Sequence, residues 1–456
     1  MHILKSKYLR LVIIHLVLGF IIYSVKSLSV VYFLGIVGVS VILILKAPTK
    51  NKTIVVLMTC AYTVGAEVFL RMTGGNIGYE SSKYAVVLFI VLGIFLSGKV
   101  DKRAYTYIIF LFLLVPSIIV ASSTLDLGTN VRKAVTFNLS GPFCLGISAL
   151  YCYNRSLRFQ DMKKLILAFL LPILSTVVYL SLYTPSLKEV LTGTGSNFAT
   201  SGGFGPNQVS TMLGFGIFML VVKFFLDSKT LFFKLFHLCL IAFMTYRALI
   251  TFSRGGVFVA GIMIVAFVGT YYVYTSKQFR IKIISLMSIF GLVLVFTWMF
   301  SSFNTFGLLD KRYANEDAIG REKEDVTTGR KDLLESELKV FFENPFLGVG
   351  VGKMKEIRLE QDGIESASHN EVSRMLAEHG VIGVLALLVL IITPLVFRIK
   401  NRKNIFFYAF YLFWILTINH SAMRIAAPAF IYALCLLNLT FEPSKRKRSV
   451  KLAQAN

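Results

Sequence analysis

KQFRIKIISLMSIFGLVLVFTWMFSSF, residues 277–303, decides the fold class. Lys277, Arg280 and Lys282 stand at its start, and nothing from Ile283 to Phe303 is charged. An α-helix needs about 20 apolar residues to cross the hydrocarbon core of a bilayer. This run is long enough, with cations to anchor one end in water. Past it, residues 304–371 turn polar. Similar apolar blocks lie upstream at 9–23, 30–45, 54–70, 84–96, 105–120, 165–183, 209–226, 238–250 and 257–274. Three more follow at 381–397, 405–418 and 425–439. A weaker block at 134–153 carries Asn138 and Pro142. Counting it gives about 14 spans; omitting it and the last hairpin gives about 12. The expected fold is all-α: a polytopic transmembrane helix bundle of about 12–14 spans with one large extracytoplasmic loop between late helices.

Composition agrees. Of 456 residues, 55% are hydrophobic and 16% charged, and the mean hydropathy is +0.70. A soluble chain of this length carries far more charge. The net charge of +24 raises nucleic acid as a partner, but its distribution argues against one. Cations gather in every second connection, for example Lys46/Lys50/Lys52, Lys99/Lys102/Arg103, Arg155/Arg158/Lys163/Lys164, Lys277/Arg280/Lys282 and Arg398/Lys400/Arg402/Lys403. This is the positive-inside pattern. It places both termini in the cytoplasm and leaves no aromatic-and-basic platform for nucleic acid. The first block lacks a small-residue cleavage site and reads as a retained helix. The five cysteines lack metal-ligand spacing and read as small core residues.

The expected organisation is a helix bundle over 1–303, the loop over 304–371, C-terminal helices over 372–441 and a basic cytoplasmic tail over 442–456. A connection usually takes about 2–8 residues between packed helices, so the long loop asks for a function. Within it, Thr328 is placed to cap a helix over 329–343, which Asn344-Pro345 ends. Residues 348–352 then form a turn.

Four places offer chemistry. The first is Thr251-Phe252-Ser253-Arg254-Gly255-Gly256. Arg254 is either an anion-binding fork or an arginine snorkelling to the interface. Arg247, seven residues earlier, is about two helical turns away and would point the same way. The second is Gly329-Arg330, where an arginine at a helix start meets a phosphate or simply faces water. The third, Glu343-Asn344-Pro345-Phe346-Leu347-Gly348-Val349-Gly350, lacks the strand before it and the Lys-Ser/Thr after it that a nucleotide loop requires, and reads as a shaped turn. The fourth is Ser368-His369-Asn370 with Glu378. His369 has the right pKa range for a general base at neutral pH; the other reading is a surface histidine capping a helix. His379 and His420 are weaker rivals, and His15 and His237 read as structural. Outer acids such as Glu316, Asp317, Glu322, Glu324 and Asp325 interleave with cations as a solvated face. Neither a metal nor any other cofactor is expected, so arginines would carry the charge stabilisation.

Taken in order, Ser253-Arg254-Gly255, Gly329-Arg330, Asn344-Pro345-x-x-Gly348-x-Gly350 and His369-Asn370 with Glu378-x-Gly380-x-x-Gly383 resemble the O-antigen ligase and polysaccharide polymerase family of bacterial membrane proteins. The resemblance runs from about Gly205 to Gly383, and Gly205-Pro206-Asn207 looks like a further family element. It implies a metal-independent glycosyltransferase in the bacterial cytoplasmic (inner) membrane, with its active site outside. The implied donor is an undecaprenyl-pyrophosphate-linked glycan and the acceptor a glycan or glycolipid. Membrane lipids, a flippase and a chain-length regulator are the other partners expected. Arg254 and Arg330, with Arg247, would hold the pyrophosphate. His369 would activate the acceptor hydroxyl, supported by Asn207, Ser253, Asn370 and Glu378. Leu333-Leu334 stands where the family often has a tryptophan. Two products follow from the same donor: a polymerase extends a lipid-linked repeat of O-antigen, capsule or exopolysaccharide, and a ligase moves the chain to a lipid A core or other surface acceptor. Within the family that the chain resembles, a count of about 14 spans is more typical of polymerases, so the resemblance implies a polymerase. A transporter or flippase would instead show an internal repeat and midplane charges.

Overall fold

The computed structural model describes residues 6–98, 100–184, 186–323, 329–363 and 368–441. The expected cap Thr328, the acids Glu324 and Asp325 and the basic tail lie outside them. The N-terminal half comprises α1 (Lys7–Ser24), α2 (Leu28–Lys46), α3 (Thr49–Thr73), α4 (Ser81–Ser97), α5 (Thr106–Leu113), α6 (Val115–Thr124), α7 (Val131–Cys152) and α8 (Phe159–Tyr183). The second half continues with α9 (Pro206–Asp227), α10 (Leu231–Leu249), α11 (Arg254–Tyr274) and α12 (Lys277–Asn304). The long loop holds α13 (Leu308–Ala314), α14 (Arg330–Glu343) and α15 (Lys353–Asp362). Then come α16 (Glu371–Lys400), α17 (Phe407–His420) and α18 (Ala426–Leu434).

Each apolar block is a helix or the greater part of one. Among the described residues, eleven helices are long and apolar enough to cross a membrane, making the chain an all-α polytopic membrane protein. The block at 105–120 is broken in two: Pro116 opens α6 directly behind α5, because proline lacks the N–H that would continue the ladder. The weak block is α7, a span that tolerates Pro142 and turns the Asn138 amide back onto the Ala134 carbonyl at 3.1 Å. The last block is too short to span as a helix. α18 has only nine residues, turns continue it through Leu437, and β2 (Asn438–Thr440) then pairs in parallel with β1 (Ser156–Arg158).

Burial sorts the helices. The apolar window of α9 is 89% buried and that of α12 only 17%, so α9 is the axis of the bundle and α12 presents most of its surface to lipid. α11 and α10 pack along α9, α8 meets it on another side with α3 behind, and the aromatic pairs Phe169–Phe215 and Phe215–Phe413 tie α8, α9 and α17 together.

The two ends differ in chemistry. At the basic end, Lys163 and Lys223 both pair with Asp227, Arg155 donates to the Ser97 hydroxyl at 3.2 Å, and Asn438 N donates to Arg155 O. At the opposite end, α13 to α15 dock on the tips of the bundle. Thr124 Oγ1 donates to Val349 O at 2.8 Å, Val351 N to Ser117 O at 3.2 Å and Asn197 N to Thr251 O at 3.1 Å. Asn207, Ser253, Arg254, Arg330, His369 and Asn370 stand in or beside these end loops, and Glu378 lies beneath them, accepting from Gly352 N.

Candidate functional site

The first motif builds a corner between α9 and α11. Ser253 precedes α11 in extended conformation. Its hydroxyl donates to Asn207 Oδ1 at 2.8 Å, and its carbonyl accepts from Ser210 Oγ at 2.8 Å. Gly256 is required by contact: a Cβ there would collide with the Ser210 backbone of α9. The second glycine, Gly255, lies against the His420 ring. Asn207 and Ser253 are thus supports that seat the first turn of α11, whose leading residue is Arg254.

Arg254 reaches away from the bundle. Its Nη1 donates to the carbonyl of Arg312 at 3.4 Å, while Arg312 Nε donates to Phe252 O at 3.0 Å. α13 is thereby clipped to the corner. Burial lowers the pKa of Arg312, and the charges of Arg254 and Arg330 lower it further. Arg330 is lowered by burial and then by Arg254. Lys323 is lowered by burial and by Arg312 and Arg254, with Asp317 opposing. These cations face one another, and their repulsion is relieved when an anion sits among them.

Arg330 starts α14 behind Gly329, which has a positive φ of 78°. A cavity of about 230 Å³ opens beside it, lined by Arg330, Lys331, Leu333, Leu334 and Glu337 of α14, by His369 and Asn370, and by Asn419 of α17. Two residues far apart in sequence, Arg330 and His369, therefore share one space, with the dileucine as its apolar wall. The helix-capping alternative for His369 falls to its neighbour: Asn370 Oδ1 accepts from Val372 N at 2.8 Å and caps α16, leaving the imidazole to the cavity. Burial first, then the charges of Arg330, Arg424 and Arg358, lower the His369 pKa. At neutral pH the ring is uncharged and able to accept a proton.

The remaining motifs are architectural. Glu378 is buried in α16; Arg374 donates to it at 2.5 Å, and its Oε1 accepts from Gly352 N at 3.0 Å. Its carbonyl and that of Ala377 receive Gly350 N and Val349 N. The glycine-rich turn thus folds onto the helix that follows the histidine. Gly380 interrupts α16 with φ 61° and ψ −145°, and Val381 N donates to Pro345 O at 2.7 Å. A Cβ on Gly380 would lie 2.5 Å from Phe346 O. Gly380→Ala should therefore cost roughly 3 kcal/mol, read as a lower melting temperature in detergent; an unchanged melting temperature would remove the strain argument.

The structure does not bring Arg247 to the other arginines. It is buried in α10, and its Nη2 donates to Leu180 O at 2.6 Å on α8. α10 ends at Leu249 and α11 starts at Arg254, so no helical phase connects 247 with 254 and the two-turn spacing does not apply. His379 is buried against Ser117 at 3.4 Å. His420 lies nearer the site than expected, between Gly255 and Thr211. Sequence reading passed over Arg312 and Lys323, because single cations in a mixed-charge loop carry no spacing signal. It also missed α15, whose one buried apolar residue, Met354, leaves little periodicity.

Residues 238–388 match the family model described as O-Antigen ligase. The matched segment, about a third of the chain, holds Arg254, Arg330, His369, Asn370 and Glu378, and over this segment the chain is similar to the O-antigen ligase family. No curated protein matches the chain. The function is of the O-antigen ligase or polymerase type, a glycosyltransferase-like activity in a multi-pass membrane protein.

Proposed function

We propose that the chain is a polysaccharide polymerase that transfers glycan from an undecaprenyl-pyrophosphate-linked donor to a sugar hydroxyl on the outer face of the bacterial cytoplasmic membrane. The cavity shared by Arg330 and His369 carries this reading. In the reaction, the acceptor oxygen attacks the anomeric carbon of the donor. The bond from that carbon to the pyrophosphate oxygen breaks, and its electron pair leaves with the lipid pyrophosphate. His369 takes the hydroxyl proton. Arg254, Arg330 and Arg312 meet the negative charge growing on the leaving group, where guanidinium forks match phosphate oxygens. No metal is required for either task. The polar site stands at the end opposite the basic loops, and the polyprenyl tail belongs among the apolar helices. Both termini then face the cytoplasm. Flippase and chain-length regulator remain the expected partners, as they would supply the donor and set product length.

The family description favours a second reading, a ligase that moves finished chains to a lipid A core or another surface acceptor. Glycan laddering in a deletion strain separates the two. Restoration of long chains from single repeats supports the polymerase. Transfer of already polymerised chains from the lipid carrier supports the ligase. Flux of lipid-linked glycan with no new glycosidic bond would defeat both.

The lowered His369 pKa sets a pH profile. The base is active when unprotonated, so the transfer rate should hold below the ordinary histidine value of about 6.5 and fall only at more acidic pH. A pH–kcat/KM series checks this; an acid limb at or above that value would contradict it.

A further inference from the structure

The turn joining α17 to α18, residues 421–425, lies outside the matched segment and outside every sequence motif, yet it grips the histidine loop. Ala422 N donates to His369 O at 3.0 Å, and Arg424 Nη2 donates to Ser368 O at 2.8 Å. These are the carbonyls of the two peptide planes that flank the His369 Cα. Each plane is rigid, so fixing both sets the backbone dihedrals of His369 and the direction of its Cβ. The turn is itself braced. Ala422 takes a left-handed φ of 49°, Ala426 N donates to Glu67 Oε2 of α3 at 2.6 Å, and Met423 packs on Gly141 of α7. The Arg424 guanidinium lies 4.2 Å over the Phe137 ring, which meets Tyr79, and Arg71 covers Tyr79 at 4.1 Å. The N-terminal half of the chain thus reaches the histidine through stacked cations and rings.

We propose that Arg424 is a positioning residue for His369, fixing the Ser368–His369 peptide through its fork and turning a positive charge toward the imidazole. This rests on His369 acting as the base. The titratable and charged groups around the ring come from every element packed there: Arg330, Lys331 and Glu337 of α14, Arg358 of α15, Glu371 and Arg374 of α16, Arg424, and His420 of α17, which burial keeps uncharged at neutral pH. The acids are engaged elsewhere. Glu337 accepts from Arg358, Ser368 and Ser373, and Glu371 and Glu378 accept from Arg374. The field at the ring is therefore positive, in keeping with the share of Arg424 in its lowered pKa, after burial and Arg330.

Two readouts test this on the full chain in proteoliposomes. The first is transfer between copies of an undecaprenyl-pyrophosphate-linked oligosaccharide, which serves as donor and acceptor. The second is the pH dependence of diethyl pyrocarbonate labelling at His369, mapped by mass spectrometry, which reports the imidazole pKa without any transfer. Arg424→Ala should lower kcat on the order of 100-fold with little change in KM, and raise the labelling pKa. Arg424→Gln keeps a donor for the Ser368 carbonyl and should recover part of kcat while its pKa stays raised. Arg424→Lys keeps the charge, so its pKa should stay near wild type while kcat falls. Wild-type kcat in Arg424→Ala overturns the proposal. So do equal losses in all three variants with no movement of the labelling pKa, which would mark Arg424 as a packing residue. If wild type forms no glycosidic bond but the labelling pKa moves as described, the placement of Arg424 stands and the transfer function falls.

Discussion

His369→Ala should reduce glycan transfer about 10³-fold, within the 10²–10⁴ range of a lost general base, while leaving protein level and donor affinity near wild type. The fold should survive because the contacts that hold the loop are backbone contacts. His369 O accepts from Ala422 N, Ser368 O accepts from Arg424, and Asn370 caps α16; alanine at 369 keeps all three. The loss should therefore fall on kcat. Donor binding should persist because the cations that meet the pyrophosphate stand on α11, α13 and α14. The measurement is product formed per unit of protein at matched expression, together with donor affinity. A variant as active as wild type would make His369 structural and leave His420, the weaker rival that lies against Gly255, as the histidine to test next.

The second large effect is expected from the arginines. Arg254→Ala and Arg330→Ala should each lower kcat/KM by about 10²–10³, and both should weaken donor binding. Arg254→Lys should recover little, because a single ammonium cannot reproduce the fork. Arg254 carries a second burden: its Nη1 holds the Arg312 carbonyl, so its loss also loosens α13 and the cation that α13 supplies. Arg330 stands at the cavity itself, and its loss should leave α13 in place. The double variant should then fall short of the product of the single effects, since Arg254, Arg312 and Arg330 act on one anion. Unchanged donor affinity in both single variants would remove their assigned role.

Much of this was legible in the sequence, for identifiable reasons. Membrane-spanning helices announce themselves because an uncharged run has few other fates, and the alternating cations told one end from the other. Arg254, Arg330 and His369 were legible as candidates through the ordered motifs that resemble the family, and two of them, Arg330 and His369, line one cavity. The failures share a cause too. Arg247 was placed by helical phase across what is in fact a turn, residues 250–253. Glu378, named as a support through the motif it shares with the family, is held by Arg374 and the Gly352 N–H. Arg312 and Arg424 were invisible because their importance comes only from what they meet in space. The last hairpin stayed open in the span count because hydropathy marks an apolar block without saying how much of it is helix, and α18 takes only nine residues of that block.

The docking of the long loop onto the bundle has a consequence for recombination. The matched segment, 238–388, looks like a module to be exchanged between relatives or grafted onto a foreign scaffold. Yet Val351 leans on Ser117, Val349 on Thr124 and His369 on Ala422, all contributed from outside it. A chimaera cut at the segment's borders would transplant Arg254, Arg330 and His369 and leave behind Asn207 and the surfaces that aim them. Such a chimaera should work only if α6 and the turn at 421–425 travel with the segment.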